Sequence, residues 1–420
     1  MLTELHSSYL KGEVQAIASK SYVHRLLIAA ALSNRPTLIK GRITGEDATA
    51  TAECLRALGA NIIVVTDGYR VEPITKPSKD RILNCGESGS TLRFILPLAC
   101  ALGAECTITG SGRLAARPLV ELIDTLTEMG AEIKGDQLPL KIGGQLKSGD
   151  YKIPAYISSQ YITGLMLALP LLDGDSKLIL QGKTVSAPYI DITLDVLKDF
   201  GIEIKREKYG YSIKGNQRYR SKGEAAAEGD WSNAAFFLAG GALSGEVTVT
   251  GLSPSSKQGD RAIVEILEKM GADIAKTSTS ITAKKSALKG INLDVRDTPD
   301  LVPVLAITAM YAEGKTVFTG VDRLKDKESD RLSAILETVA RLGGHAEYQE
   351  GALTVYHGCG KGDVTLSSHN DHRLAMSAAV AAFNYQGRII LEGSESVSKS
   401  YPAFFCDYKK LGGLANEFQS

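Results

Sequence analysis

Apolar residues fall into two kinds of run along the 420 positions. In one, they recur at helical spacing with charged residues between them, and the run closes on glycine. Leu55 to Gly59, Leu126 to Gly130, Leu197 to Gly201, Leu267 to Gly271, Val339 to Gly343 and Tyr408 to Gly412 all follow it. In the other, nearly every position is apolar, as in Leu92–Leu102, Leu165–Leu169 and Leu301–Met310. The first pattern predicts amphipathic helices with one buried stripe. The second predicts helices with no polar face, which belong inside a core. Each fully apolar helix is followed by a short β-rich segment and a glycine, at Gly41, Gly110, Gly182, Gly251, Gly320 and Gly393.

These markers repeat. The glycines after the short segments are 69, 72, 69, 69 and 73 residues apart, and those closing the amphipathic helices are 71, 71, 70, 72 and 69 apart. Two independent markers with one period define a repeat read as helix, strand, amphipathic helix, strand, strand. The glycine after each amphipathic helix is expected at φ > 0, where a residue without Cβ fits. A period near 70 exceeds the roughly 20–50 residues of solenoid repeats. The expected fold is therefore α/β with two similar lobes of three repeats each. Buried parallel helices lie inside and sheets outside, an inside-out α/β barrel. The Gly223–Gly229 stretch reads as a crossover. The lobes are then 19–227 and 1–18 plus 228–420, joined by a two-stranded hinge.

Composition narrows the function classes. Lys+Arg and Asp+Glu both number 48, so the net charge is zero and no nucleic-acid footprint shows. The six cysteines include no CxxC pair, which argues against a disulfide scaffold and a zinc site and suits a reducing compartment. The first residues lack a basic and apolar leader, and no uncharged apolar run reaches membrane-spanning length. A cytoplasmic protein with no membrane or nucleic-acid contact is expected.

Candidate chemistry stands before each buried helix. The segments are Ser19–Ser21, Gly86–Thr91, Ser158–Gln160, Asp230–Asn233, Asp297–Asp300 and His369–Arg373. All are rich in N-cap residues, and capping alone accounts for their composition. Six helix N-termini at equivalent ends also concentrate partial positive charge and free N–H groups. If the two lobes face each other with those ends, the cleft is an anion site. Lys20, Arg25, Arg93, Arg117, Lys327, Arg331, Arg373 and Lys399 lie in or near the segments and suit phosphates and carboxylates. In the charged stretch Leu324–Arg331, spacing puts Lys327 and Arg331 on one helical face beside Glu328. Two fixed cations can hold an anion, and a carboxylate between them can move a proton. A solvated first helical turn is the plainer reading.

The motifs Lys20-Ser21-x-x-x-Arg25, Gly86-Glu-Ser-Gly-Ser-Thr-Leu-Arg93, Arg117-Pro118, Ser158-Ser-Gln160, Ser186-x-x-Tyr189, Pro299-Asp300, Lys327-Glu-Ser-Asp-Arg331, Asn370-Asp-His-Arg373 and Lys399 resemble those of the EPSP synthase family, in order and at matching spacing across the chain. The resemblance implies a fold of two three-unit lobes. It implies transfer of the enolpyruvyl group of phosphoenolpyruvate to the 5-hydroxyl of shikimate 3-phosphate, by addition and elimination through a tetrahedral ketal without metal or cofactor. By resemblance Asp300 is the base on the hydroxyl. Glu328 is the acid at the methylene carbon, with Lys20 the competing assignment. Lys20, Gly89, Arg117, Gln160, Arg331, Arg373 and Lys399 match phosphoenolpyruvate positions. Lys20, Ser21, Arg25, Ser158, Ser159, Ser186, Asp300 and Lys327 match shikimate 3-phosphate positions. Tyr189 and His372 are expected near the site, and Arg93 as a buried support.

Two positions depart from the pattern. Glu87 stands where some members have Asn, and Arg323 where some have an Asn contacting shikimate 3-phosphate. Two rival readings stand against transfer to shikimate 3-phosphate. The sister transferase acting on UDP-N-acetylglucosamine usually carries a cysteine in the loop before the Arg-Pro pair, and Gly110–Arg117 has none. A nonenzymatic two-lobe anion binder would need the cations but not both Asp300 and Glu328.

Overall fold

The helices without a polar face form the cores. The computed structural model describes residues 1–77 and 80–418. The chain divides into two compact units, a first spanning Ala18–Ala227 and a second made of Met1–Ile17 and the chain from Glu228 onward. Helices Lys20–Ala31, Gly89–Ala101 and Ser159–Ala168 are buried in the first unit, and Trp231–Ser244, Val302–Met310 and His372–Ala382 in the second. Two of them approach closely at Gly164, where an added Cβ would stand 2.1 Å from the carbonyl oxygen of Arg93. The amphipathic helices bury one stripe each. Arg331–Arg341 buries Leu332, Ala334, Ile335, Thr338 and Val339, at the spacing of a single helical face.

The glycines closing these helices take the expected conformation. Gly59, Gly130, Gly201, Gly271, Gly343 and Gly412 have φ of 112°, 101°, 75°, 97°, 74° and 97°. Four of the six buried helices are capped by a side chain, with Ser88, Ser158, Asp230 and Asp371 accepting from the N–H groups of Thr91, Gln160, Asn233 and Arg373. Ser19 makes no such bond. The Val302 helix starts after Leu301, so Asp297 and Asp300 lie in the turns before it and do not cap it.

Each repeat carries a four-stranded sheet. In the third, Asp150–Pro154 pairs parallel with Ser176–Gln181, followed by Gly210–Ile213 and Ile204–Glu207, both antiparallel to their neighbours. The strand before the buried helix is absent from the sequence reading. It pairs with the strand after that helix, so helix and strands form a parallel crossover.

Two of these leading strands are exchanged. Lys11–Gln15 precedes the first buried helix but pairs with Glu246–Thr250 in the second unit. Glu224–Ala226 precedes the helix at Trp231 but pairs with Thr37–Lys40 in the first. Leu2–His6 fills the sixth sheet, antiparallel to Ile389–Glu392 on one side and to Leu414–Phe418 on the other. Among the described residues no helix is long and apolar enough to cross a membrane.

Candidate active site

In the second unit the chemistry gathers on Arg331, whose side chain is 1 % exposed. A buried guanidinium needs acceptors for its fork of donors. Nε donates to Asp371 Oδ2 at 2.8 Å, Nη1 to Asp300 Oδ1 at 2.6 Å and Nη2 to Glu328 Oε2 at 2.8 Å. Asp300 also receives Arg373 Nη2 at 3.0 Å on its other oxygen, and Lys327 Nζ lies 3.7 Å from Oδ1. One carboxylate thus faces three cations. Burial pushes Asp300 up, but Arg373, Lys327 and Arg331 outweigh it and hold the carboxyl well below the usual carboxylate range. Burial, opposed by Asp300, brings the Lys327 ammonium down to about 8. Lys399 Nζ donates to the Asn370 carbonyl at 2.5 Å. His369 and Asn370 are both left-handed, at φ 49° and 56°, a conformation that non-glycine residues hold only where surrounding structure imposes it.

Leu324–Arg331 does not form the helical turn expected from its spacing. A short 3-10 turn spans Asp322–Asp326, Lys327 is extended, and the helix begins at Arg331. Asp330 fixes that start by accepting from the Ser333 N–H. Lys327 and Arg331 are therefore not neighbours on a helix face; Asp300, in the turn before the buried helix of the same repeat, brings them together. From sequence Asp371 is only part of a helix cap; in the structure it is also the buried anion of Arg331. It caps Arg373 and accepts from Ser329 Oγ at 3.1 Å as well as from Arg331. Burial opposes its ionisation, and Arg331 outweighs that and keeps its carboxyl low. The signal was present: a buried Arg331 demands a buried anion.

Asp260, also unnoticed in the sequence, is buried and hydrogen-bonded by Ser232 Oγ. Burial first, then the charge of Asp300, raise its carboxyl to about 7. His372 is buried at the start of its helix, with Nδ1 3.8 Å from Asp371 Oδ1.

In the first unit Gly89 opens its helix with Arg117 directly against it. A Cβ there would meet Arg117 Nη1 at 2.6 Å and Arg93 Nη1 at 2.8 Å. Arg93 donates to Gln160 Oε1 and to the Pro118 carbonyl, both at 2.8 Å, and Gln160 Nε2 donates to Ser90 Oγ at 2.8 Å. Gly89, Arg117 and Gln160 thus meet at the start of the Gly89 helix, with Arg93 bonded to Gln160. Glu87 packs on the Arg117 loop, because a Cβ on Gly112 would fall 2.5 Å from its carboxyl carbon.

Ser158 Oγ accepts the Gln160 N–H as the cap, which leaves its O–H to donate elsewhere, and Ser159 is buried next to it. Arg25 is buried and turned inward. It donates to the Ser21 and Tyr189 carbonyls and to Thr193, and lies over the Phe94 ring. Burial lowers its guanidinium to about 10. Arg25 thereby ties Ser21 to the Ser186–Tyr189 segment, where Ser186 is left-handed at φ 53°. Lys20 Nζ pairs with Asp47 Oδ2 at 2.7 Å.

Comparison with known proteins supplies the lineage. Residues 6–407 match the family described as EPSP synthase (3-phosphoshikimate 1-carboxyvinyltransferase). The chain belongs to the EPSP synthase family. Relatives named 3-phosphoshikimate 1-carboxyvinyltransferase include one from Clostridium novyi, 38% identical over 98% of this chain and 97% of that protein. One from Clostridium kluyveri is 40% identical over 99% and 98%. The solved EPSP synthase of Acinetobacter baumannii superposes with a TM-score of 0.84 over 100% of both chains at 27% identity. The enolpyruvyl transferase NikO of Streptomyces tendae shares the fold, with a TM-score of 0.78 at 19% identity. Like the EPSP synthases it resembles, this chain is an enzyme with the two-lobe α/β architecture of that family.

Proposed function

We propose that this chain transfers the enolpyruvyl group of phosphoenolpyruvate to the 5-hydroxyl of shikimate 3-phosphate, releasing phosphate, as a step toward aromatic amino acids. The observation that carries the reading is the charge cluster of the second unit. Asp300 and Glu328 share one guanidinium, and two further cations stand on Asp300. Such a set offers an acid and a base within a field that favours anions.

The steps balance on these groups. The 5-hydroxyl oxygen adds to C2 of phosphoenolpyruvate as Asp300 takes its proton, and Glu328 protonates C3, with Lys20 the alternative donor. The ketal then loses a proton from C3 back to the Glu328 carboxylate and phosphate from C2, which leaves with the proton held by Asp300. Without substrate, the three cations make Asp300 a weak base. Anionic substrate groups taken up by Arg331 and Arg373 divide those cations between two partners, so the field on Asp300 falls and its basicity rises as the site fills. Gly89, Arg117, Gln160, Arg331, Arg373 and Lys399 are assigned to phosphoenolpyruvate. Ser21, Arg25, Ser158, Ser159, Ser186 and Lys327 are assigned to shikimate 3-phosphate, and Lys20 to both. We assign the activity to a cytoplasmic monomer.

The test is phosphate release from phosphoenolpyruvate with shikimate 3-phosphate or with UDP-N-acetylglucosamine as acceptor. Turnover with the first alone is expected. Turnover with the second alone would overturn the acceptor assignment, and binding of both ligands without phosphate release would leave an anion binder.

A further inference from the structure

We propose that Asp47 is a positioning residue that holds the Lys20 ammonium against the helix start at Gly89. Lys20 is the first residue of its helix, whose N-cap Ser19 makes no side-chain bond and whose first turn carries no acid. Its ammonium therefore stands at the positive end of a helix that supplies no counter-charge of its own. The counter-charge comes from the neighbouring helix Glu46–Ala57, where Asp47 occupies the first turn, a place that favours a carboxylate. Nζ and Oδ2 are 2.7 Å apart and both side chains are mostly buried, at 18% and 13% exposure.

A second set of bonds fixes the carrier of that carboxylate. Thr91 Oγ1 lies 3.4 Å from the Asp47 carbonyl oxygen and 2.7 Å from Thr51 Oγ1, in the same helix as Asp47. Thr91 also donates to Ser88 Oγ, the cap of the Gly89 helix. Thr51 in turn meets His24 Nδ1 at 2.7 Å, and His24 stands one turn beyond Lys20 on the same helix face. Burial, then the charges of Lys20 and Arg25, keep the His24 ring neutral at neutral pH, so it adds no third cation there. The helix of Lys20 and the start of the Gly89 helix are thereby pinned to one segment, and Asp47 carries the pin out to the ammonium. A lysine has a long, freely rotating stem, and holding it in advance removes part of the ordering cost when an anion binds.

This inference rests on the assignment of Lys20 to phosphoenolpyruvate, and a double-mutant cycle separates the two. Lys20→Met is expected to lower kcat/KM for phosphoenolpyruvate by about a hundredfold or more, and Asp47→Asn by about tenfold, the worth of one charged hydrogen bond. The double variant should be no worse than Lys20→Met, because Asp47 acts only through Lys20. If Lys20→Met changes nothing, the assignment of Lys20 falls. If Lys20→Met is impaired but Asp47→Asn stays within twofold of the parent, or multiplies the loss in the double variant, Asp47 is not a positioning residue. Asp47→Glu keeps the charge and runs the same cycle should the amide fail to fold. It is expected to recover at least threefold over Asp47→Ala, and equal loss in the two would overturn the proposal.

Discussion

At the scale of single residues, the second unit answers one question repeatedly: which anion satisfies a buried cation. Asp300 is the most contested group, with Arg331, Arg373 and Lys327 all on it. Asp300→Asn keeps the shape but cannot take the hydroxyl proton. Turnover should fall about 10²- to 10⁴-fold, the usual worth of a general base, while both substrates still bind. Single-turnover assays with calorimetric binding check this, and activity within tenfold of the parent would remove Asp300 as base.

Arg331 behaves differently from an ordinary ligand arginine because three carboxylates already share it. Arg331→Lys cannot span them and leaves the buried Asp371 short of partners. The loss should reach stability as well as phosphoenolpyruvate affinity, by about 3–5 kcal/mol in denaturant unfolding. An unchanged unfolding midpoint would mean that Asp371 finds another cation.

Lys327 gives a pH signature. Burial brings its ammonium down to about 8, and a bound phosphate would raise that value. Shikimate 3-phosphate binding should therefore weaken by up to about tenfold per pH unit above 8 until the raised value is reached. Lys327→Met should bind more weakly but with no slope in that range. A parallel slope in both would assign the titration elsewhere.

At the scale of elements, what could be read in advance follows from the range of the forces involved. Buried and amphipathic helices announce themselves through periodicity, and their closing glycines through the need for φ > 0. The leading strands escaped because they are short and take their partners across a helix; Glu224–Ala226 offers three residues with no alternation to see. Spacing alone puts Lys327 and Arg331 on one helix, but the Asp330 cap starts that helix at Arg331 and leaves Lys327 outside it. Asp371, Asp47 and Thr91 were invisible for the same reason as the strands: their partners are 40, 27 and 44 positions away. The cap itself is testable. Asp330→Ala should cost about 0.5–2 kcal/mol through loss of the bond to the Ser333 N–H. It should also loosen the frame of Arg331, so the drop in stability should come with a raised KM for phosphoenolpyruvate. A change in stability alone would show that the helix start and the cation are mechanically independent.

At the scale of the whole chain, the two units differ in how they are written. The first is continuous, and all its strands lie between residues 18 and 227. The second draws two strands, Leu2–His6 and Lys11–Gln15, from the far end of the sequence. A fragment of residues 18–227 should melt cooperatively by circular dichroism. A fragment of residues 228–420 should not, because one sheet loses an interior strand and another an edge, and supplying residues 1–17 as a peptide should restore the transition. Cooperative melting of the second fragment alone would show that those strands are dispensable.

The place of Leu2–His6, between strands near positions 390 and 416, also sets an order of events during synthesis. This segment leaves the ribosome before residues 18–227, yet its neighbours emerge only after them. Residues 18–227 can close their sheets while the rest is still being made. Through that interval the opening segment has no partner to pair with and must be kept from other strand edges. Its final docking spans nearly the whole chain, the kind of long-range closure that slows folding. A segment made early is thus placed late.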